Sequence, residues 1–415
     1  MSSSSLASMA WRNLWRNRRR TIITLSSISF GILLAVLFTG LGDRTYGSMI
    51  DLAARMGGGH VTLQHPGYLE APSIKKTIRD VDVKAAAALK DHDVTHVVTR
   101  ITGFVMLSTA SNNTGAFFMA YDPEMETKKT LAVLDGIVEG NNFASSTDSG
   151  IILGKSLAEN LNVQMGKKVV YTLSDKQGEI VTGLARVSGI VTTGAPSIDS
   201  GLCLLPIDTV RKVLGFEETE AVQVAVFIDD QRKSQEVADR ISAHFDENTA
   251  VVPWFESQPE LSAFITMKVS GTTFFEIIIM ILIAAGIFNT LFVSVMERMR
   301  EFGIMMAIGF TPGRLFRLVM WESLWLALTG LVAGAIITAW PYYYFSTTGL
   351  DMSAMVGEGG ANVAGVAMDP VMRVGIFPEN ALLICFAVIL ATMLSGLYPA
   401  FKAGRVVPVE TIKLV

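Results

Sequence analysis

Four runs of roughly twenty residues carry almost no charge, and their uneven spacing constrains this chain more than anything else in it. A helix rises about 1.5 Å per residue, so each run is long enough to cross roughly 30 Å of hydrocarbon. In lipid the backbone must satisfy its own hydrogen bonds, which makes the runs helices. They fall at 21–43, 271–297, 318–345 and 380–401. Composition agrees: 50% of residues are hydrophobic and only 17% charged, against roughly 25% charged in soluble domains. The reading is an α-helical membrane protein with four transmembrane helices plus a large α+β extracytoplasmic domain, residues 44–270, inserted between the first and second helices.

Charge at the run ends sets the orientation. Residues 1–20 include Trp11, Arg12, Asn13, Leu14, Trp15, Arg16, Asn17, Arg18, Arg19 and Arg20. As a helix they put Arg12, Arg16 and Arg20 on one face and Ala7, Trp11, Leu14 and Trp15 nearer another, which reads as a cytoplasmic, interfacial basic amphipathic helix with arginines toward lipid phosphate. The first run is longer than a signal-peptide core and reads as an uncleaved anchor. By the positive-inside rule both termini are cytoplasmic and the large domain is outside. Residues 346–379, with Gly357-Glu358-Gly359-Gly360, form an outer loop, and 402–415, with Lys402, Arg405 and Lys413, a cytoplasmic tail.

The outer stretch alternates strand and helix patterns. Gly59 to Gln64 reads as a strand, residues 81–91 as a helix and 94–108 as one or two strands; residues 221–254 give strand, helix, strand. The strand-rich middle, about 136–214, is expected as an inserted subdomain. Gly154-Lys155-Ser156 is not a phosphate loop, because Gly150 is one residue too close for the required spacing. The five histidines, His60, His65, His92, His96 and His244, are expected at the surface. His92 and His96 are four apart but lack a third ligand, so no metal site is assigned. Cys203 and Cys385 are not expected to pair. Neither a nucleophile elbow nor a paired carboxylate motif is present, and a net charge of −4 gives no case for nucleic acid. The chain reads as no enzyme by itself, with no cofactor of its own.

Between the second and third runs lies a charged elbow, 298–317. Glu297-Arg298-Met299-Arg300-Glu301 cannot sit in hydrocarbon. Phe302, Met305, Met306 and Gly309 follow at helical spacing and make one apolar stripe, which either packs on its own bundle or docks a partner. Gly309 is a helix stop, and Thr311-Pro312 starts the next helix. Asn289 lies deep in the second run and needs an interhelical hydrogen-bond partner; Gly330 and Gly334 form a GxxxG that admits a close helix, with a second permease copy expected. Glu322 must face protein.

Asn289-Thr290, Glu297 to Ile304, and Ala307-Ile308-Gly309 resemble the signature of the FtsX-like permeases, membrane subunits of ABC transporters of the MacB, LolC and LolE types. Leu397-Tyr398-Pro399-Ala400, Ala403, Arg405 and Pro408-Val409-Glu410 resemble that family's ending. The resemblance implies that the elbow is a coupling helix on a cytoplasmic ABC ATPase dimer, which binds the ATP and Mg. Glu297, Arg298, Arg300, Glu301, Phe302, Gly303, Met305 and Met306 would be the coupling residues. It implies an inner-membrane, multi-pass permease paired with an identical or paralogous copy. Three loads fit: lipoprotein or other lipid-anchored cargo extracted from the outer leaflet, peptides or small molecules expelled through a periplasmic adaptor, or a mechanical signal to an envelope enzyme. For the first, a lipid or cargo cavity is expected near Leu37, Gly40, Phe264, Phe274 and Ile278.

Overall fold

The computed structural model describes residues 3–352, 362–363, 366–367 and 371–405. The Gly357–Gly360 stretch, Pro408-Val409-Glu410 and Lys413 lie outside them. The chain forms two compact units: a helical one from 1–45, 266–350 and 372–415, and a sheet-based one from 46–265 and 351–371.

Four helices long and apolar enough to span a membrane are present: Arg18–Met56, Pro259–Glu297, Pro312–Thr347 and Pro378–Gly404, called here the first to fourth spans. Two of them start where the sequence prepares a start, with Pro312 after extended Thr311 and Pro378 after extended Phe377. The third continues through Pro341 without a break. Gly330 and Gly334 seat the third span against the first within this chain, since an added Cβ would lie 2.6 Å from Ile28 at one position and 2.6 Å from Ile32 at the other. The close helix that the GxxxG admits is thus the first span of the same chain, beside the cluster of Leu14, Ile28, Ile32, Ile287, Leu291 and Leu326. Asn289 is exposed and its side chain makes no hydrogen bond to a described residue.

The N-terminal helix Ser3–Arg16 breaks at Asn17 before the first span. Leu6, Ala10 and Leu14, spaced by four, are its buried stripe. Trp325 of the third span donates to the Ala7 carbonyl at 3.1 Å and its ring meets Trp11 at 5.0 Å. This helix is packed on protein along that face.

The sheet unit is built on β1 (Val61–Gln64), β2 (Val94–Ser108), β3 (Asn113–Tyr121), β4 (Ile137–Gly140), β5 (Gly150–Gly154), β6 (Lys168–Ser174), β7 (Ile180–Val191), β8 (Leu202–Pro206), β9 (Gln223–Ile228) and β10 (Ala250–Pro253). They form one sheet in the order β10-β1-β9-β2-β3-β8-β5-β7-β4, with β6 pairing β2 and β7. The stretch 136–214, expected as an inserted subdomain, supplies β4 to β8 to this same sheet. Its junctions are β8 parallel to β3 and β6 antiparallel to β2. The fifteen-residue β2 is long enough to pair β9 with its first half and β6 with its last residues. Helices Val81–Ala88, Lys155–Asn160, Ile207–Leu214 and Ser234–Ser242 share the main core with it, through residues such as Val81, Leu157, Val210 and Ile241.

His60 departs from the surface expectation. It is 3% exposed, accepts from the Ile228 amide at 3.3 Å, and has its pKa lowered by burial despite Asp51 nearby. Period-two alternation cannot place residue 60 because β1 is buried on both faces. Cys203 is buried and Cys385 exposed, both free.

Candidate functional site

The elbow is a helix of its own, Met299–Ala307, set off from the second span by Arg298. It ends as the residues dictate. The Phe310 amide donates to Met305 and the Gly309 amide to Met306, a paired closure that needs a left-handed residue, and Gly309 supplies it with φ of 103°.

Two stripes run along this short helix, and the structure turns them opposite to the docking alternative. Phe302 is fully buried against Val295, Leu315, Val319, Ala400 and Ala403, Gly303 is buried beside it, and Met305 and Met306 pack on the same cluster. The expected apolar stripe thus packs on its own bundle. The outward stripe is Arg300, Ile304 and Ile308, with Ile304 48% and Ile308 74% exposed, continued by exposed Arg314 and Arg317. Both stripes have helical spacing, so periodicity alone could not choose between them. Residues 304 and 308 were legible as a second face.

Three of the expected coupling residues, Glu297, Arg298 and Glu301, are held in a charge network within the chain. Arg298, with an 11% exposed side chain, donates from Nη1 to both oxygens of Glu322 at 3.0 Å and from Nε to Glu301 at 3.2 Å. Its guanidinium lies 5.0 Å from the centre of the Phe302 ring. Arg16 of the N-terminal helix donates to both oxygens of Glu301, at 2.6 and 2.7 Å, Arg20 pairs with Glu297, and Asn13 donates to Glu322 at 2.8 Å. Burial works to lower the Arg298 pKa, but the charge of Glu322 and its hydrogen bonds leave it raised. Burial likewise works against the Glu301 carboxylate, yet hydrogen bonds from Arg16 and Arg298 hold it below the usual range. These groups enclose a polar cavity of about 350 Å³, into which Thr24, Ser294 and Thr290 also face. Arg16 and Arg20, expected on one face of a single helix, fall on either side of the break at Asn17, and their partners are protein carboxylates.

The expected cavity residues do not come together. Gly40 packs on Val374 and Ile376, and Phe264 joins the Met49–Leu261 cluster of the sheet unit. Phe274 is 61% and Ile278 38% exposed, and Leu37 is half-buried. An apolar cavity does exist one residue round the helices, on the face of Gly31, Ala35 and Phe38 in the first span and Thr273, Ile277 and Met280 in the second. One residue is about 100° of helix rotation, which accounts for Leu37, Phe274 and Ile278 but not for Gly40 and Phe264.

One group of metal-capable side chains comes together among the described residues. Ligand atoms of Asp91, His92 and Asp93 lie within 4.8 Å of one another. Their carboxylates are taken by Arg240, at 2.7 to 2.8 Å, and by Lys233, at 2.9 Å. Gly154-Lys155-Ser156 is the junction of β5 with a six-residue helix.

Residues 273–408 match the FtsX-like permease C-terminal family and residues 21–244 the MacB-like periplasmic core domain. The lipoprotein-releasing system transmembrane protein LolC of Xylella fastidiosa is 23% identical over 307 residues, covering 70% of this chain and 71% of that protein. An uncharacterised ABC transporter permease of Methanocaldococcus jannaschii is 22% identical over 426 residues, covering 100% of this chain and 98% of that one. The macrolide export ATP-binding/permease protein MacB of Nitrobacter winogradskyi is 22% identical, covering 98% of this chain, which spans 60% of that protein. With the MacB-like core matching more than half of the sequence and the FtsX-like region most of the remainder, the chain belongs to the FtsX-like, MacB-type permeases of ABC transporters.

Proposed function

We propose that this permease converts closure of a cytoplasmic ATPase dimer, which holds the ATP and Mg, into movement of its spans and its sheet unit, and so lifts lipoprotein or another lipid-anchored cargo from the outer leaflet of the inner membrane. The observation that carries the mechanical part is the division of the elbow: an outward face of Arg300, Ile304, Ile308, Arg314 and Arg317, and an inward face tied by Arg298 and Glu301 to the third span and the N-terminal helix. A push on such a helix reaches several elements at once. The outward face suits a partner groove that is apolar at its centre and acidic at its rim. The lipoprotein-releasing name of the LolC relative supports the lipoprotein load; the proposal takes both termini as cytoplasmic, the sheet unit as periplasmic and a second permease copy as completing the assembly. The match of the MacB-like core favours a second reading, export of small molecules or peptides through a periplasmic adaptor.

The test uses the full chain with its ATPase in liposomes, recording ATP turnover and release of a triacylated lipoprotein together. The elbow variant is Ile304→Asp with Ile308→Asp, which alters the outward face without entering the core. Intact complex active in both and variant active in neither supports the reading. Turnover without release moves the load to the export reading. A fully active variant removes the elbow from coupling.

A further inference from the structure

The apolar cavity between the first, second and fourth spans has a volume of about 290 Å³, near the lower bound of the roughly 300–1,000 Å³ of small-molecule sites. Gly31, Ala35 and Phe38 form one wall, Met280 and Ile283 another, and Ala387 part of the third. One charged group lines it, the carboxylate of Glu276. Thr39 donates to one Glu276 oxygen at 2.6 Å, and no described residue donates to the other. Glu276 lies about 21 residues, or roughly 30 Å, from the elbow end of its helix, which is the thickness of the hydrocarbon layer. It therefore stands at the far boundary of the span with the cavity extending from it toward the elbow. From Glu276 to Ile287, the last lining residue of that helix, is roughly 16 Å of helix, the reach of an alkyl chain of about a dozen carbons.

We propose that this cavity binds an amphiphile with a cationic, ammonium-type head and a single alkyl chain, the head on Glu276 and the chain between the three spans. A carboxylate lining an otherwise apolar cavity within the spans is ordinarily there for a partner. Its one hydroxyl donor leaves an oxygen free to accept a charge-assisted hydrogen bond, which a primary or secondary ammonium provides and a sulfate or phosphate head does not. The rest of the lining offers no donor to a polar chain, since the Thr273 hydroxyl is spent on the Val269 carbonyl at 2.9 Å and the Thr392 hydroxyl on the Val388 carbonyl at 2.8 Å. The site lies within one chain and stands apart from the question of cargo.

The test reconstitutes the full-length protein in phosphatidylcholine nanodiscs with three diazirine-bearing dodecyl probes that differ only in head: ammonium, sulfate and alcohol. Labelled peptides are mapped by mass spectrometry and half-saturation is measured. The expected result is labelling within 273–287 and 383–392, with the ammonium probe favoured by about tenfold or more. Glu276→Gln abolishes that preference while alcohol labelling stays, and Ala387→Phe, which fills the cavity, removes all three. Adding phosphatidylethanolamine distinguishes sources: competition points to a bilayer lipid as the natural occupant, and no competition to a soluble amphiphile. Equal labelling by all heads, or a preference that survives Glu276→Gln, overturns the proposal. So does a disulfide between copies through Ala35→Cys in a Cys385→Ser background, because the second permease then fills the groove.

Discussion

Arg100 with Glu126 in the sheet unit and Arg298 with Glu322 in the helical unit are the same ion pair in two settings. Arg100 and Glu126 are both 0% exposed. Arg100 donates from Nε to Glu126 at 2.6 Å, from Nη2 to the Thr130 carbonyl at 2.7 Å, and from Nη1 to the Gly57 carbonyl, while Thr130 also donates to Glu126 at 2.5 Å. Every arm has a partner. The elbow pair is 11% and 10% exposed, its Arg298 Nη2 is buried with no partner, and Glu301 is shared between Arg298 and Arg16. A fully satisfied buried pair has one good arrangement. A shared, under-satisfied one has neighbours ready to exchange, which suits a joint that has to move.

The largest effect is expected where satisfaction is complete. Arg100→Met leaves Glu126 charged, buried and short of its main donors, and costs about 3–5 kcal/mol in thermal or denaturant unfolding. Removing Glu126 as well, as Arg100→Met with Glu126→Leu, should recover most of that loss, because the uncompensated charge is gone. If the double variant is as unstable as the single, packing rather than charge explains the site.

In the elbow the same operation should cost less. Glu322→Gln keeps the shape and removes the charge, and Arg298 retains Glu301, so a loss of about 1.5–3 kcal/mol is expected. A loss as large as that of Arg100→Met would mean that the elbow network is as fixed as the sheet pair. ATP turnover of the complex, measured beside stability, separates the two, since a joint that can re-pair should lose coupling before it loses its fold.

The contrast also marks where residues could be read directly. The four spans and the large domain between the first two were legible because about twenty uncharged residues have few alternatives in water or lipid. Gly309 and Thr311-Pro312 were legible because left-handed backbone and a first-turn proline are local requirements. What was not legible depended on which side of a helix meets protein. Leu37 and Phe274 differ from the true cavity lining by one position, and the Phe302 stripe differs from the Ile304 stripe by half a turn. Hydrophobicity is similar on both sides in a membrane, so the sequence pattern loses its usual guide. The single sheet was hidden for another reason: its junctions, β8 on β3 and β6 on β2, join strands far apart in sequence.

A third ion cluster tests whether exposure alone sets these values. Hydrogen bonding by Arg240, aided by the Asp93 amide and the nearby charges of Arg240 and His92, holds the Asp91 carboxyl down at about 2, and Lys233 and Arg240 likewise lower Asp93. A depressed folded pKa stabilises above the unfolded value, about 3.9, and that stability is lost as pH falls toward 2. Comparing thermal unfolding of the wild type with Arg240→Ala should therefore show a gap above about pH 4 that closes below it, at most about 1 kcal/mol after solvent screening. A gap that persists unchanged below pH 3 would assign the effect to the arginine's packing.

The smallest stability effect, and the sharpest test of the comparison, is Arg16→Ala. Its pair with Glu301 has side chains 54% and 41% exposed, so the expected loss is under about 1 kcal/mol and shrinks further as salt rises. By stability alone Arg16 is dispensable. In the proposed joint it is the tie from the N-terminal helix to the elbow helix itself, beside those of Asn13 to Glu322 and Arg20 to Glu297, because Glu301 is the residue that both Arg16 and Arg298 hold. Removing it should leave ATP turnover near normal while lowering the work done per ATP, read as cargo released per ATP hydrolysed. Restoring the contact in reverse, Arg16→Glu with Glu301→Arg, should recover it only in part, since the new arginine at 301 faces Arg298. If release per ATP is unchanged in Arg16→Ala, the shared carboxylate is a static surface contact, and the distinction between the two ion pairs reduces to burial.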